Sequence, residues 1–219
     1  MPRHILVLGG TSPAGIAFCL AALRDSHTLT LYVRNASKLP CEISINANII
    51  VGQVDDSYAL ETAISQAKTC VSFLGPNLWN LKRGQTSITD GYRTILPLLR
   101  KHNYTRALFI STASYRAPQD AFSILYSLVV WSVYLFFSTA YKEINGYTPL
   151  ITELSTDELA WTVFRVPVLR DGEAKPVTAG FVGDVGLSIE RKALAEWVLQ
   201  EMEEGRWVGV CPALSNAST

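Results

Sequence analysis

Residues 5–15 read ILVLGGTSPAG. Ile5-Leu6-Val7-Leu8 is an unbroken apolar run of strand length, the pattern of a strand covered on both faces in a parallel sheet. The run then meets Gly9, Gly10 and Gly15. In a dinucleotide-binding turn the first glycine makes the tight turn. The second lets backbone approach the pyrophosphate, and the third lets helix and strand pack closely. Gly9 and Gly15 hold the first and third places of G-x-x-G-x-x-G, and Ser12 stands in the middle one. Serine still offers a backbone N–H and adds a hydroxyl. Pro13 suits a first helical position, where its missing N–H would have no helical partner. The N-terminus of that helix favours an anion. Gly9, Gly10, Thr11, Ser12, Pro13, Ala14 and Gly15 are therefore the expected pyrophosphate cradle, although a generic glycine turn can be spelled the same way.

Further along the chain, strand-like runs alternate with helical stretches. Strands are expected at residues 4–8, 29–33, 47–51, 69–73, 107–111 and 162–166. Helices are expected at 14–25, 57–66, 88–101, 121–143, 149–159 and 192–203. Such alternation predicts α/β architecture: a single Rossmann-type doubly wound parallel sheet with helices on both faces. No linker, repeat or low-complexity tract divides the chain, so residues 1–219 are expected to form one dinucleotide-binding domain. Residues 113–185 would contribute the substrate pocket.

The second strand ends in LYVRNASKLP. An enzyme that reads an unphosphorylated ribose usually carries Asp or Glu here, about 20 residues past the glycines. This chain offers Arg34, with Lys38 nearby. Arginine accommodates a 2′-phosphate, so turn and strand together favour NADP(H) over NAD(H).

Composition removes other classes. The 19 basic and 19 acidic residues cancel, so no basic footprint argues for nucleic acid. The four cysteines, Cys19, Cys41, Cys70 and Cys211, have neither zinc-knuckle nor redox-pair spacing. The three histidines, His4, His27 and His102, fall at the expected bottom of the sheet, away from the ligand edge. No metal site is expected, and no G-x-S-x-G elbow suggests a hydrolase. A strand starting at residue 4 leaves no room for a signal peptide, so a cytoplasmic protein is expected.

GGTSPAG, LYVRNASKLP, VGQVDD, VSFLGPN, FISTASY and WTVFRVP follow one another in an order that resembles the atypical short-chain dehydrogenases. Within these the chain is most similar to the branch holding flavin/biliverdin-IXβ reductase and the NmrA-like proteins. The late segment LSIERKALAEWVLQEM carries the same resemblance. It implies that Gly9 to Gly15 hold pyrophosphate and that Arg34 and Lys38 hold the 2′-phosphate. Asp55 would lie by the adenine, and Leu74, Gly75 and Pro76 beneath the nicotinamide-side ribose. Ser111 and Thr112 would lie beside the nicotinamide, with Val166, Pro167 and Val168 over its carboxamide.

The departures from that family bear on the reaction. Typical members carry Tyr-x-x-x-Lys, and no tyrosine here has lysine four places on. Tyr147 falls about where that lysine belongs, and Val168 replaces the flavin-reductase histidine. The remaining candidate donors are hydroxyls in STASY: Thr112, Ser111, Ser114 and Tyr115.

Residues 121–141, AFSILYSLVVWSVYLFFSTAY, contain no charge and meet the length of a membrane helix. On one helix, Ser123, Ser127, Val130, Tyr134, Ser138 and Tyr141 would share a narrow face. That stripe is expected to line an apolar substrate pocket, with Ser123, Ser127, Tyr134, Ser138 and Tyr141 as substrate contacts and the flanks in the core or against a dimer partner. Membrane or lipid-surface contact and a plain core helix are the lesser alternatives. The expected function is an NADP(H)-dependent reductase of a hydrophobic, aromatic, polyketide-like or flavin-like molecule, monomeric or homodimeric. A redox-neutral isomerase or cyclase, and a nucleotide-sensing regulator, are the alternatives.

Overall fold

The computed structural model describes residues 1–76 and 86–217. Asn77 of the VSFLGPN stretch lies outside them. The chain opens with β1 (His4–Leu8), α1 (Pro13–Arg24), β2 (Thr28–Val33), α2 (Cys41–Asn46), β3 (Asn48–Val51), α3 (Ser57–Ile64) and β4 (Thr69–Ser72). It continues through α4 (Ser87–Lys101), β5 (Arg106–Ser111), α5 (Ile124–Phe136), α6 (Ser138–Thr152) and β6 (Ala160–Arg165). Short strands follow as β7 (Val168–Arg170), β8 (Val177–Gly180) and β9 (Ser188–Glu190), then α7 (Arg191–Glu204) and β10 (Ala213–Asn216).

The main sheet has the order β3-β2-β1-β4-β5-β6-β10-β8. Every pairing from β3 to β10 is parallel, and β8 closes the edge antiparallel to β10. Order 3-2-1-4-5-6 is doubly wound, with its switch point between β1 and β4. Leu8 pairs with Tyr32 on one side and with Ser72 on the other, so three strands end together there. A ligand crevice opens beyond those carboxyl ends.

Apolar side chains cover both faces, as the unbroken strand runs require. On one face Ile5, Val7, Leu31 and Val71 pack with Phe18 of α1 and Leu194 and Val198 of α7. On the other, Leu6, Leu8 and Phe109 pack with Leu60 of α3, Tyr92 and Ile95 of α4, and Tyr147 of α6. Gly205, at φ 62°, ends α7 in a left-handed conformation that glycine adopts without penalty.

Two helix expectations are corrected. Residues 121–143 do not form one helix: the chain breaks at Phe137, and α5 and α6 are bent by 110°. Nor does a helix start at Pro149, which lies inside α6. The reason is tertiary. Ala140, Ile144, Tyr147 and Ile151 form a stripe at helical spacing that is buried against the sheet. That stripe fixes the axis of α6 through Pro149, whereas α5 has a single buried residue, Tyr126, to hold it. Its apolar flanks face outward, contrary to the expected burial in a core.

Candidate functional site

The glycine turn lies at the head of the crevice. Gly9, at φ 72°, turns the chain against β4, and a Cβ there would meet the Phe73 carbonyl carbon at 2.7 Å. A Cβ on Gly15 would lie 2.5 Å from the Gly9 oxygen and 2.9 Å from the Gly10 Cα. Glycine is thus required at both ends of the turn by close backbone approach. The Ser12 hydroxyl accepts from the Gly15 N–H at 3.0 Å, and its carbonyl accepts from Ile16 at 2.8 Å. Pro13 has no N–H. Ala14 is therefore the first-turn residue whose N–H remains for an anion, at the positive end of α1. The Ser12 hydroxyl serves as helix cap through its oxygen, and its proton has no partner among the described residues.

Beside the turn runs a cleft lined by Gly9, Thr11, Val33, Arg34, Gly52 and Val54, with Leu74 and Ile95 at its inner end. Tyr32 forms part of its wall and donates a 2.6 Å hydrogen bond to the Gln53 carbonyl. Burial, with Asp56 and Asp55 nearby, pushes the Tyr32 phenol up to about 12. Arg34 is exposed at the mouth, and no described residue bonds its guanidinium. Lys38 lies one short turn later, also exposed and unpaired among the described residues. Asp55 is exposed next to Val54. These residues could hold a 2′-phosphorylated adenosine, and the two glycines leave the backbone cradle that a pyrophosphate needs.

The remaining expected contacts sit at neighbouring strand ends. Leu74, Gly75 and Pro76 follow β4, where the Leu74 N–H reaches the Ser72 hydroxyl at 3.3 Å. Ser111 ends β5 fully buried, its hydroxyl 2.9 Å from that of Thr148. Thr112 is half-buried, and its hydroxyl accepts from the Ser114 N–H at 3.3 Å, which leaves its own proton free to donate. Val166 is held by its N–H to the Ser111 carbonyl at 2.9 Å. Pro167 leads into Val168, whose N–H bonds Leu187 as β7 pairs with β9.

Neither Tyr147 nor Tyr115 lies ready for proton transfer at that edge. Tyr147 donates to the Ile110 carbonyl at 2.7 Å and stacks on Tyr92 with centroids 4.8 Å apart. Burial pushes both phenols well above the ordinary tyrosine range. The Tyr115 hydroxyl reaches Thr152 at 3.3 Å, one helical turn beyond Thr148 and away from the crevice.

The five expected substrate contacts do not share one face. Ser123 caps α5, its hydroxyl accepting from Tyr126 at 3.4 Å. Ser127 is exposed and donates to the Ser123 carbonyl at 2.7 Å. Tyr134 meets Tyr141 edge to face across the bend, with centroids 5.2 Å apart. Ser138 and Tyr141 belong to α6, whose axis has turned away.

The sequence does not disclose the partners of the buried carboxylates, among them those of Asp120 and Glu143. Asp120, in the loop between β5 and α5, takes both Arg165 Nη atoms at 2.6 and 2.7 Å. Glu143 of α6 caps α4 by accepting from the Ile88 and Thr89 N–H groups at 3.1 and 2.9 Å. Neither has a local signal, because each partner is dozens of residues away. Among the described residues no group of His, Cys, Asp or Glu could hold a metal ion.

This crevice and glycine turn define a Rossmann dinucleotide-binding protein. A family model described as NAD(P)H-binding matches residues 9–204, and the chain belongs to that family. Its fold is that of solved short-chain dehydrogenase/reductase structures. One from Veillonella parvula DSM 2008 shares 17% identity over 100% of this chain and 96% of its own, with a TM-score of 0.81. A second from the same organism, a wide-type short-chain dehydrogenase/reductase in complex with NADP, gives 16%, 100%, 97% and 0.80. ChuY, an anaerobillin reductase from Escherichia coli O157:H7, gives 14%, 99%, 98% and 0.75. The resemblance carried by the motifs thus holds for fold and family, and the cofactor is NAD(P)H.

Proposed function

We propose that the protein is an NADPH-dependent reductase of a hydrophobic small molecule, aromatic, polyketide-like or flavin-like. The observation that carries this reading is Arg34. Its guanidinium stands unpaired among the described residues, on the cleft shared with Gly9 and Thr11. An enzyme built for unphosphorylated ribose presents a carboxylate at that strand end, and a cation there suits a 2′-phosphate.

In this reading Gly9 to Gly15, with the Ala14 N–H, hold pyrophosphate. Arg34 and Lys38 grip the 2′-phosphate, and Asp55 lies beside the adenine. Leu74, Gly75 and Pro76 support the second ribose, while Ser111, Pro167 and Val168 frame the nicotinamide. Bound NADPH supplies a hydride to an acceptor at this edge. Thr112 offers the acceptor a hydrogen-bond donor, because its hydroxyl proton has no protein partner among the described residues. With Tyr147 and Tyr92 locked in the core, the edge lacks a phenol acid of the Tyr-x-x-x-Lys kind. That supports an acceptor that takes hydride into a conjugated system and its proton from water.

The test is an absorbance assay of NADPH consumption with flavin, quinone and enone acceptors, run beside an NADPH titration. Saturable binding with consumption by one of these acceptors is expected. Binding without oxidation by any of them would replace the reductase with a redox-neutral isomerase or cyclase.

A further inference from the structure

α5 rests on the body of the protein by one stripe. Tyr126 is its single buried residue, and Val130 and Val133 are half-buried. At 100° per residue these three share one side, so exposed residues occupy roughly two-thirds of the circumference. Ile124, Leu125, Leu128, Trp131, Leu135 and Phe136 fill that arc; Leu128 is 63%, Trp131 64% and Phe136 78% exposed. A contiguous apolar ridge of this kind marks an interaction surface.

We propose that α5 seats the protein on an anionic lipid surface, with its apolar ridge sunk below the headgroups. Polar satisfaction favours lipid over a protein partner. Within hydrocarbon every polar group must be bonded inside the chain. Ser127 and Ser132 do so, donating to the Ser123 and Val129 carbonyls at 2.7 Å each. A protein interface would instead carry about one hydrogen bond per 100–200 Å², and the hydroxyl protons of both serines are already committed.

The flanking charges complete the match. Residues 121–141 carry none. The nearest exposed charges on either side are Arg116 and Lys142, cations without an ion pair among the described residues. The acids next to the helix in sequence are withdrawn: Asp120 is bound by Arg165, and Glu143 is buried against Thr89, which leaves Asp184, exposed beside the Val182 carbonyl that accepts from Ala121, as the one acid set against these cations among the described residues. Cations flanking an apolar helix complement anionic headgroups. Trp131 and Tyr134 are the aromatic types that favour the membrane interface.

Geometry sets the mode. The 13 residues of α5 extend about 20 Å, short of the roughly 30 Å hydrocarbon core. Among the described residues no single helix is long and apolar enough to cross a membrane. α6 cannot complete a span, because its apolar stripe is packed on the sheet. The helix therefore lies in the interface plane. The lipid seat goes beyond the reductase reading and does not depend on it.

The experiment is flotation of the full chain with phosphatidylcholine vesicles, with and without phosphatidylserine. The expected result is flotation with the anionic vesicles, weakened by salt and on neutral vesicles. Leu128→Gln combined with Trp131→Gln is expected to reduce partitioning about a hundredfold, from the loss of two large buried apolar groups. NADPH affinity, read in the same preparations, should not change, and this shows that the variant is folded. A protein that stays unbound at both compositions overturns the proposal. So does a concentration-dependent dimer that the double substitution dissociates while vesicle binding is absent. Equal binding to neutral and anionic vesicles overturns the role of Arg116 and Lys142.

Discussion

Arg165 and Asp120 form a bidentate ion pair at 2.6 and 2.7 Å with the Arg165 side chain fully buried. The same guanidinium donates to the Cys211 carbonyl at 2.8 Å and the Tyr115 carbonyl at 3.1 Å. The carboxylate also accepts from the Ala117 and Val182 N–H groups at 2.8 and 3.0 Å. One pair thus ties β6, the loop after β5, the segment before β10 and the segment after β8 at the base of α5. That loop begins at Thr112, so the pair fixes the candidate hydroxyl indirectly.

Breaking this pair should be costly. Asp120→Asn leaves the Arg165 charge buried without a counter-ion, a loss of about 3–5 kcal/mol. Urea unfolding checks it, and a loss under about 1 kcal/mol would contradict burial of the pair. The pH dependence follows from the shift. Burial alone would raise the Asp120 carboxyl, but the Arg165 bonds and the Val182 and Ala117 N–H groups outweigh it and hold it below the ordinary value of 3.8. A depressed folded value means that the contribution is present above pH 3.8 and is lost as pH falls through the lower folded value. Acid titration of Asp120→Asn should lack that component of the unfolding.

Arg34→Ala tests cofactor choice. A charge-assisted hydrogen bond to phosphate contributes about 1.5–3 kcal/mol, and solvent exposure of Arg34 puts the effect at the lower end. NADPH affinity should fall about tenfold, while NADH affinity should change little. Equal affinity of the unmutated protein for both cofactors would remove Arg34 from the 2′-phosphate site.

Much of this arrangement is legible in the chain, and the illegible parts share physical causes. β1 has the bounds read from its apolar run, and Arg34 follows β2 at the cleft as the spacing demanded. β7, β8, β9 and β10 are three or four residues long, too short for periodicity to declare. β10, Ala213–Asn216, lacks β-branched residues and exists through its pairing with β6 and β8. The break at Phe137 is imposed by the packing of α6. A helix apolar all round reads identically whether core or lipid covers it, so the outward ridge of α5 needed the three-dimensional structure. Glu143 and Thr89 lie too far apart in the chain for a capping pattern.

The glycine turn gives graded outcomes. Ser12→Ala removes the cap on α1 and should cost about 1 kcal/mol of stability, whereas Ser12→Gly should cost only about a few tenths. Both should keep most NADPH binding, since the close backbone approach at Gly9 and Gly15 and the Ala14 N–H are unchanged. Gly15→Ala should not, because its Cβ would lie 2.5 Å from the Gly9 oxygen and force the turn open. Isothermal titration orders the three. Gly15→Ala binding as well as the parent would show that the dinucleotide does not use this turn.

Thr112 and Tyr115 separate a hydroxyl at the reacting edge from one in the packing. Thr112 follows the last residue of β5, and its hydroxyl accepts one bond and retains a proton to donate. Tyr115 directs its hydroxyl to Thr152, a full turn along α6 from the edge. Thr112→Val keeps the branched shape and removes the donor. It should lower kcat by roughly tenfold or more, the value of one hydrogen bond to a charged transition state, and leave NADPH affinity within about twofold. Tyr115→Phe should lower stability by about 1 kcal/mol and leave kcat near that of the parent. Steady-state turnover with the acceptor found in the NADPH assay, set beside NADPH titration of each variant, gives both quantities. If Tyr115→Phe abolishes turnover while Thr112→Val does not, the donor is the phenol, and the loop after β5 must rearrange to bring it back to the edge.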